Sequence, residues 1–411
     1  MKRLSRFALC ILLLSGCAAG VGDGETPSPA PDTAPPSVAA PVPPTETVTP
    51  ETPSPSFPAP ETPEPPPSPT PDKPEAGDPE TALAGMSLTE KVSSLFWVAP
   101  DQLGGTAYAF TDATARALAE TPVSGVVLFR ENIRDEAQVR ALTAAFRQAG
   151  GPGFAVGVDE EGGRVSRLGG VGSFPKTPAM GRLSGEQEVY AAVDALGAAL
   201  ADWGFTVDFA PVCDVLTNPN NTVIGNRAFS ADPQAVALLA PQAVKALLAH
   251  GVQPCIKHFP GHGGTAGDSH TGAVSLPYDL EHLRGTEWPP FSAALAAGTN
   301  LVMVGHIALP AVTGDDTPAS LSPDIVAGFL RGELGFDGLV VTDSLRMKAV
   351  TDRWPAGEAA VLALKAGCDV LLMPQDLADA RAGVLQAVLS GALPEARVDE
   401  AVLRRLAVFG W

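Results

Sequence analysis

The chain has 411 residues, 45% of them apolar and 18% charged, with a formal net charge of −19 at pH 7. A surplus of acid this large disfavours a nucleic-acid partner, because such binding is dominated by cationic contacts to phosphate. Five cysteines in so long a chain do not make a disulfide scaffold, and the 41 prolines are spread so unevenly that they divide it into parts.

Residues 1–17 read as a secretory signal. Lys2, Arg3 and Arg6 precede an apolar stretch from Phe7 to Leu14 that is too short to span a bilayer. Leu14-Ser15-Gly16-Cys17 resembles the lipobox of bacterial lipoproteins, which makes Cys17 the expected lipidated residue and the anchor to a membrane facing outside the cytoplasm. An ordinary cleaved signal peptide is the alternative, and in either case Cys10 leaves with the signal.

Residues 18–80 read as a disordered linker. Between Val21 and Glu80 lie 21 of the prolines, among Thr, Glu, Ser and Ala with almost no large apolar side chain. Such a segment cannot bury enough surface to offset its ordering entropy. At about 3.1 Å per residue in an extended polyproline conformation it reaches up to roughly 190 Å. A stalk between membrane and domain is the plain expectation, and a proline-rich ligand for a partner domain the other.

Residues 81–411 are enough for one large core and retain a charge of −12. Eight short apolar runs occur in order: Leu95–Val98, Gly125–Phe129, Phe154–Val158, Val207–Ala210, Pro254–Phe259, Leu301–Val304, Gly338–Val341 and Asp369–Met373. Between most of them lie Ala- and Leu-rich stretches with helical spacing, such as 186–202, 232–250 and 357–366. Eightfold strand–helix alternation predicts a (β/α)8 barrel. An open doubly wound sheet is the competing fold, but no Gly-x-Gly-x-x-Gly turn follows the first run. Cys213, Cys255 and Cys368, odd in number and set among apolar neighbours, read as buried thiols.

A barrel enzyme builds its site at the carboxyl ends of its strands. Asp159, Asp214, Lys257 with His258, His306 and Asp343 fall at those ends. The fifth run continues as Lys257-His258-Phe259-Pro260-Gly261-His262-Gly263-Gly264-Thr265-Ala266-Gly267-Asp268-Ser269-His270, which holds three of the six histidines. A metal hydrolase would use His258, His262, Asp268 and His270, although a Pro-Gly turn between the first two gives no fixed helical bite. No Gly-x-Ser-x-Gly elbow offers a serine nucleophile, and Schiff-base chemistry on Lys257 would require a neutral amine. Carboxylate chemistry suits Asp343 as nucleophile, with His270 as proton donor oriented by Asp268. Gly263, Gly264 and Gly267 are expected to let that loop swing.

Lys257 to Gly263, followed by Asp268-Ser269-His270, resembles the β-N-acetylhexosaminidase branch of family 3 glycoside hydrolases. Gly157 to Val165 is similar to that family's Asp-Gln-Glu-Gly-Gly-Arg-Val, Ile224 to Phe229 to its arginine-containing loop, and Gly338 to Ser344 to its nucleophile strand. The resemblance implies Asp343 as nucleophile, His270 as acid/base with Asp268 as its partner, and Asp159, Arg167, Arg227, Lys257 and His258 as residues that grip sugar hydroxyls. Glu160 stands where the family has Gln and brings a charge to the site. Arg164 is expected to hold its loop through Glu161 or another carboxylate, and His262 to pack the turn. His306 either contacts ligand or satisfies a strand-end carbonyl.

No cofactor and no metal are implied. The sandwich domain of many family 3 β-glucosidases is not expected after the barrel, so one barrel is expected to form the whole site. The expectation is a monomeric, retaining exo-β-N-acetylglucosaminidase acting on terminal N-acetylglucosamine of cell-wall or chitin-type glycans, with peptidoglycan turnover in view. A phosphorylase using the same residues, or a lipoprotein that only binds sugar, are the alternatives.

Overall fold

The computed structural model describes residues 78–410. The expected signal peptide, the lipidation of Cys17 and the linker up to residue 77 lie outside the described residues. The first described helix, Pro79–Ala84, is capped by the Asp78 side chain and so starts within the last residues assigned to the linker.

The strands are β1 (Phe96–Val98), β2 (Gly125–Leu128), β3 (Ala155–Val158), β4 (Val207–Asp208), β5 (Gln253–Phe259), β6 (Val274–Ser275), β7 (Leu301–Val304), β8 (Ile307–Ala308), β9 (Leu339–Thr342) and β10 (Leu371–Leu372). Eight form one parallel sheet in the order β10-β1-β2-β3-β4-β5-β7-β9. A parallel bridge between Val341 and Val370 joins its two edges, so the sheet closes into the expected (β/α)8 barrel. Each of the eight apolar runs matches one of these strands to within two residues at either end. The two-residue strands β6 and β8 form a separate parallel pair that sequence patterning gave no sign of.

Helices Glu186–Asp202, Pro233–Ala249 and Ala356–Ala366 follow the expected spans closely. The start of the second is set by local chemistry: Asp232 accepts a hydrogen bond from the Gln234 amide and Pro233 occupies the first turn, where its missing N–H costs nothing.

Alternation along each strand separates two apolar layers. Phe96, Val98, Val126, Leu128, Val156, Val158, Ile256, Val302, Val304 and Val340 face outward onto the helices. Trp97, Val127, Ala155, Val207, Phe209, Cys255, Leu301, Met303, Leu339, Val341 and Leu372 fill the barrel. The interior is full: Trp97 of β1 meets Phe209, just after β4, with ring centroids 6.3 Å apart. All three cysteines in the described residues are buried free thiols.

The lower end of the barrel is closed by charge. Asp369, just before β10, is fully buried and takes Arg397 at 2.8 Å, Arg404 at 3.2 Å and Arg331 on its other oxygen. It also accepts the Val340 amide at 2.9 Å, which ties β10 to β9 at the seam. Truncating this carboxylate leaves the arginines partly buried without their anion. Asp369→Ala is therefore expected to lower the unfolding free energy by about 3–5 kcal/mol, measured by chemical denaturation; a loss under about 1 kcal/mol would show that the seam holds without it.

Candidate active site

The inward row of side chains continues past the strand ends into a pocket of about 390 Å³. Ala155, Gly157 and Asp159 belong to one row, Leu339, Val341 and Asp343 to another. A Cβ on Gly157 would lie 2.8 Å from the Phe209 ring, so the layer directly beneath the pocket is packed. On β5 the pairing shifts between Ile256 and Phe259, which oppose Val302 and Val304. That one-residue bulge lets the neighbours Lys257 and His258 both line the pocket.

Lys257 sits at the centre of an ion network. Its Nζ lies 2.7 Å from Asp159 Oδ1 and 2.6 Å from Glu161 Oε1. Arg227 forks onto Glu161 with bonds of 2.7 and 2.8 Å, and Arg167 approaches Asp159 at 3.6 Å. Burial alone would depress the Lys257 ammonium, but Asp159 and Glu161 outweigh it and hold its pKa above the ordinary lysine value. Burial alone would raise the Glu161 carboxyl, but Lys257 and Arg227 outweigh it and hold it well below. Lys257 is thus a fixed ammonium, which removes the neutral amine a Schiff base would need.

His258 Nδ1 lies 2.7 Å from Asp214 Oδ2. The other oxygen of Asp214 accepts the backbone amides of His262 at 2.7 Å and His258 at 3.2 Å, so this fully buried carboxylate fixes the whole turn after β5. With Nδ1 donating to Asp214, Nε2 of a neutral ring is the acceptor that faces Arg227 and the pocket. His262 packs the turn as expected, with Nδ1 2.9 Å from the Thr265 hydroxyl and Nε2 3.3 Å from that of Ser269. Among the described residues, no three His, Cys, Asp or Glu side chains are grouped so as to hold one metal ion.

Beyond that turn, Asp268 Oδ1 lies 2.8 Å from His270 Nδ1 and accepts the His270 amide at 2.9 Å. Burial would raise the Asp268 carboxyl, but these bonds from His270 outweigh it and leave it below its usual value. The His270 ring is 67% exposed at the pocket rim. Ser269 between them is buried, and its carbonyl accepts the Ala349 amide at 3.2 Å. The glycines act differently from expectation: a Cβ on Gly263 would lie 1.8 Å from the Val215 carbonyl oxygen and one on Gly264 2.2 Å from the Tyr278 hydroxyl. Those two serve close packing, and only Gly267 has the room expected of a hinge.

Asp343 differs from the other two pocket carboxylates. Asp159 and Glu161 are ion-paired, whereas Asp343 has no salt bridge among the described residues and accepts the Ser344 amide at 2.7 Å. Burial alone would raise it, but His306, His258, the Ser344 amide and His270 outweigh that and hold it below the ordinary aspartate value. His306 answers its two alternatives with the structural one, placing Nε2 2.9 Å from the Ser344 carbonyl oxygen and Nδ1 2.7 Å from the Ser320 hydroxyl.

The pocket thus gathers Asp159, Arg167, Arg227, Lys257, His258, His270 and Asp343, with Asp268 behind His270. The expectation for Arg164 also fails: it donates to the carbonyls of Val223 and Ile224, because Glu161 is already taken by Arg227 and Lys257. Sequence reasoning placed Asp214 at a strand end without giving it a role and missed Glu161 as a site residue. The usable signal was the demand for anions, since a lysine on a barrel strand cannot stay buried without them.

A closed barrel with a charged pocket at the carboxyl ends of its strands is the architecture of a barrel enzyme. Residues 87–408 match the glycosyl hydrolase family 3 N-terminal domain, and the chain belongs to that family. It is 36% identical over 273 residues to beta-hexosaminidase A of Pseudoalteromonas piscicida, covering 61% of this chain and 46% of that protein. It is 40% identical over 265 residues to beta-hexosaminidase LpqI of Mycobacterium tuberculosis, covering 62% of this chain and 68% of that one. The solved glycoside hydrolase family 3 β-N-acetylglucosaminidase of Paenibacillus sp. str. FPU-7 superposes with a TM-score of 0.74 at 36% identity, over 79% of this chain and 62% of that chain. The chain thus spans about half of the first of these relatives and under two thirds of the last.

Glu160, which stands where the family has Gln, does not line the pocket. It is buried beneath it, with Oε2 accepting the amides of Arg167 at 2.7 Å and Leu168 at 2.8 Å and Oε1 meeting the Ser166 hydroxyl. Burial raises its pKa against these bonds. A Gln satisfies the same partners by turning its NH2 to Ser166, whose oxygen can accept. Because the folded-state pKa is raised, the stability Glu160 contributes is complete below the unfolded value and is lost as pH rises through the folded one. Glu160→Gln should melt with wild type near pH 4 and above it at pH 8; a gap that stays constant with pH would refute the assignment.

Proposed function

We propose that this protein is a retaining, exo-acting β-N-acetylglucosaminidase in which Asp343 attacks the anomeric carbon and His270 protonates the leaving oxygen. The observation that carries the reading is that Asp343 alone among the pocket carboxylates is ionised without an ion-pair partner among the described residues, and so has lone pairs free for a covalent bond. Histidine can both give and take a proton near neutral pH. In the first half-reaction the His270 proton goes to the leaving oxygen as the carboxylate–carbon bond forms. In the second, His270 takes a proton from water as the water oxygen displaces Asp343, which restores both groups. Asp268 holds the imidazole and balances its cation.

Lys257, Arg227, Arg167, Asp159 and His258 offer fixed donors and acceptors for the hydroxyls of the terminal sugar. Phe129, Met303 and Met373 supply apolar surface around it. The 2-acetamido group is not needed as a nucleophile. The names of the relatives support N-acetylglucosamine as the sugar. The signal-like residues 1–17, Cys17 and the proline-rich segment support tethering at the cell envelope, where wall-derived glycans are the substrate within reach.

Purified protein should release N-acetylglucosamine from its aryl β-glycoside and from N,N′-diacetylchitobiose, also in phosphate buffer; N-acetylglucosamine 1-phosphate there would instead mark a phosphorylase. Asp343→Ala should abolish turnover with binding retained, and wild-type activity in that variant would sink the nucleophile assignment. His270→Ala should lower kcat/KM by about 10²–10⁴-fold for the disaccharide and less for a 4-nitrophenyl leaving group, which departs without protonation.

A further inference from the structure

A buried acid that the reaction leaves unused lies behind the turn after β5. Glu287 is fully buried, and neither of its carboxyl oxygens has a hydrogen-bond partner among the described residues. We propose that Glu287 is a positioning residue: it and His282 hold one proton between them, and this neutral pair backs the turn so that Asp214 stays the single anion behind His258. The proposal rests on the reading of His258 as a sugar contact and goes beyond it by naming what keeps that contact in place.

Local chemistry explains why an acid is driven inward here. Residues Leu283–Glu287 form a π-helical turn in which the Trp288 amide donates to the Leu283 carbonyl, five residues back. Pro289 and Pro290 follow at once; they supply no N–H and crowd the carbonyls one turn earlier, which a wider turn accommodates. The widened turn sets two neighbouring side chains against Phe259 and Gly261, on either side of Pro260. Trp288 stacks on Phe259 with ring centroids 6.0 Å apart. Glu287 reaches Gly261, where a Cβ would lie 2.4 Å from Oε2 and where φ is 128°. Both the space and the backbone therefore require glycine at the point where the carboxyl meets the turn.

The charges around Glu287 decide its state. From the stretch after β4 comes Asp214, whose oxygens are already committed to His258 Nδ1 and to the amides of His258 and His262. From the stretch before the π-helical turn comes His282, whose buried Nε2 lies 3.7 Å from Glu287 Oε1 and likewise has no hydrogen-bond partner among the described residues. Tyr278 stacks on the His282 ring at 3.7 Å and meets the Thr217 hydroxyl at 3.2 Å. Arg284, on the exposed side of the same turn, is forked onto Glu333 with bonds of 2.6 and 2.8 Å.

Burial and the Asp214 charge push the Glu287 carboxyl up to about 8, against the pull of the Thr217 hydroxyl. Oε1 and Nε2 are the ends of a carboxyl–imidazole bond that one proton completes. Whichever of the two carries it, the pair is neutral. The His282 side chain is 33% exposed and gives that proton a way to solvent. Its loss leaves a second anion packed near Asp214 with no cation to balance it, and the turn that both carboxyls support must loosen. Because the folded-state value is raised, the stability Glu287 contributes is complete below the unfolded carboxyl value and is lost as pH rises through the folded one.

The test follows two quantities from about pH 6 to about pH 9.5: the affinity for N-acetylglucosamine and kcat/KM for its 4-nitrophenyl β-glycoside. The activated leaving group keeps the His270 proton out of the second. Wild type should lose at least about tenfold in both as pH rises through about 8. Glu287→Gln and, as an apolar filler of similar length, Glu287→Met should stay within about threefold of the neutral wild-type value with no such fall. A cooperative melt at neutral pH shows which variants are folded, and either one decides. A flat wild-type profile, the same alkaline fall in a folded variant, or a variant loss uniform across pH overturns the proposal. Absent turnover with the alkaline fall in binding intact would remove the glycosidase reading alone and leave the role of Glu287 standing.

Discussion

A single ammonium organises the active face. Lys257 stands inside a parallel barrel one layer above packed apolar side chains, where an unpaired cation would be driven to neutrality or out of the fold. Its charge is kept by Asp159 from the end of β3 and by Glu161, and Glu161 in turn fixes Arg227 from the long connection after β4. Three separate stretches of chain are thereby held in one geometry by the requirement that every buried charge have a partner. Such a network is set before any ligand arrives, which is the condition under which fixed charges act most strongly on a bound sugar.

Against this rigid side stands a much looser one. Among the described residues the Asp343 side chain is held only by the Ser344 amide, and His270 is held by Asp268 at an exposed rim. Under the proposed mechanism, recognition and proton delivery fall to parts of the pocket with different freedom: buried ion pairs around the sugar, a surface loop around the leaving oxygen. The anchors of that loop are placed to limit its play. Buried Ser269 lies between the two functional side chains, and β6 pairs with β8 just beyond them. With Gly263 and Gly264 locked by packing, any swing of His270 is confined to the few residues around Gly267.

The barrel was legible because each strand carries its own evidence: a β-branched run, a bounding Gly, Pro or Asp, and a helix of suitable length before the next. Strand-end residues such as Asp159 and Asp343 were legible for the same reason, since strand parity continues one step beyond the ladder. What was not legible depended on contacts between distant segments. Nothing local in Arg164 says that its partners are the carbonyls of Val223 and Ile224, and nothing local in Glu161 says that it will be claimed by β5 and by Arg227. The bulge that turns His258 inward beside Lys257 appears only when β5 is paired with β7. The glycines misled for a related reason: a missing side chain reads as freedom in one dimension and as close approach in three.

The way the barrel is sealed also sets an order of events. β1 pairs with β10 at Phe96 and Leu371, and the carboxylate at the base of β10 is gripped by Arg397 and Arg404 from the helix Glu395–Phe409. These partners sit at opposite ends of the domain, so the ring cannot shut until almost the whole domain is available, and loop-closure entropy makes that step late and slow. An interval in which the chain has made helices and neighbouring strands but has no closed barrel is therefore built into the topology.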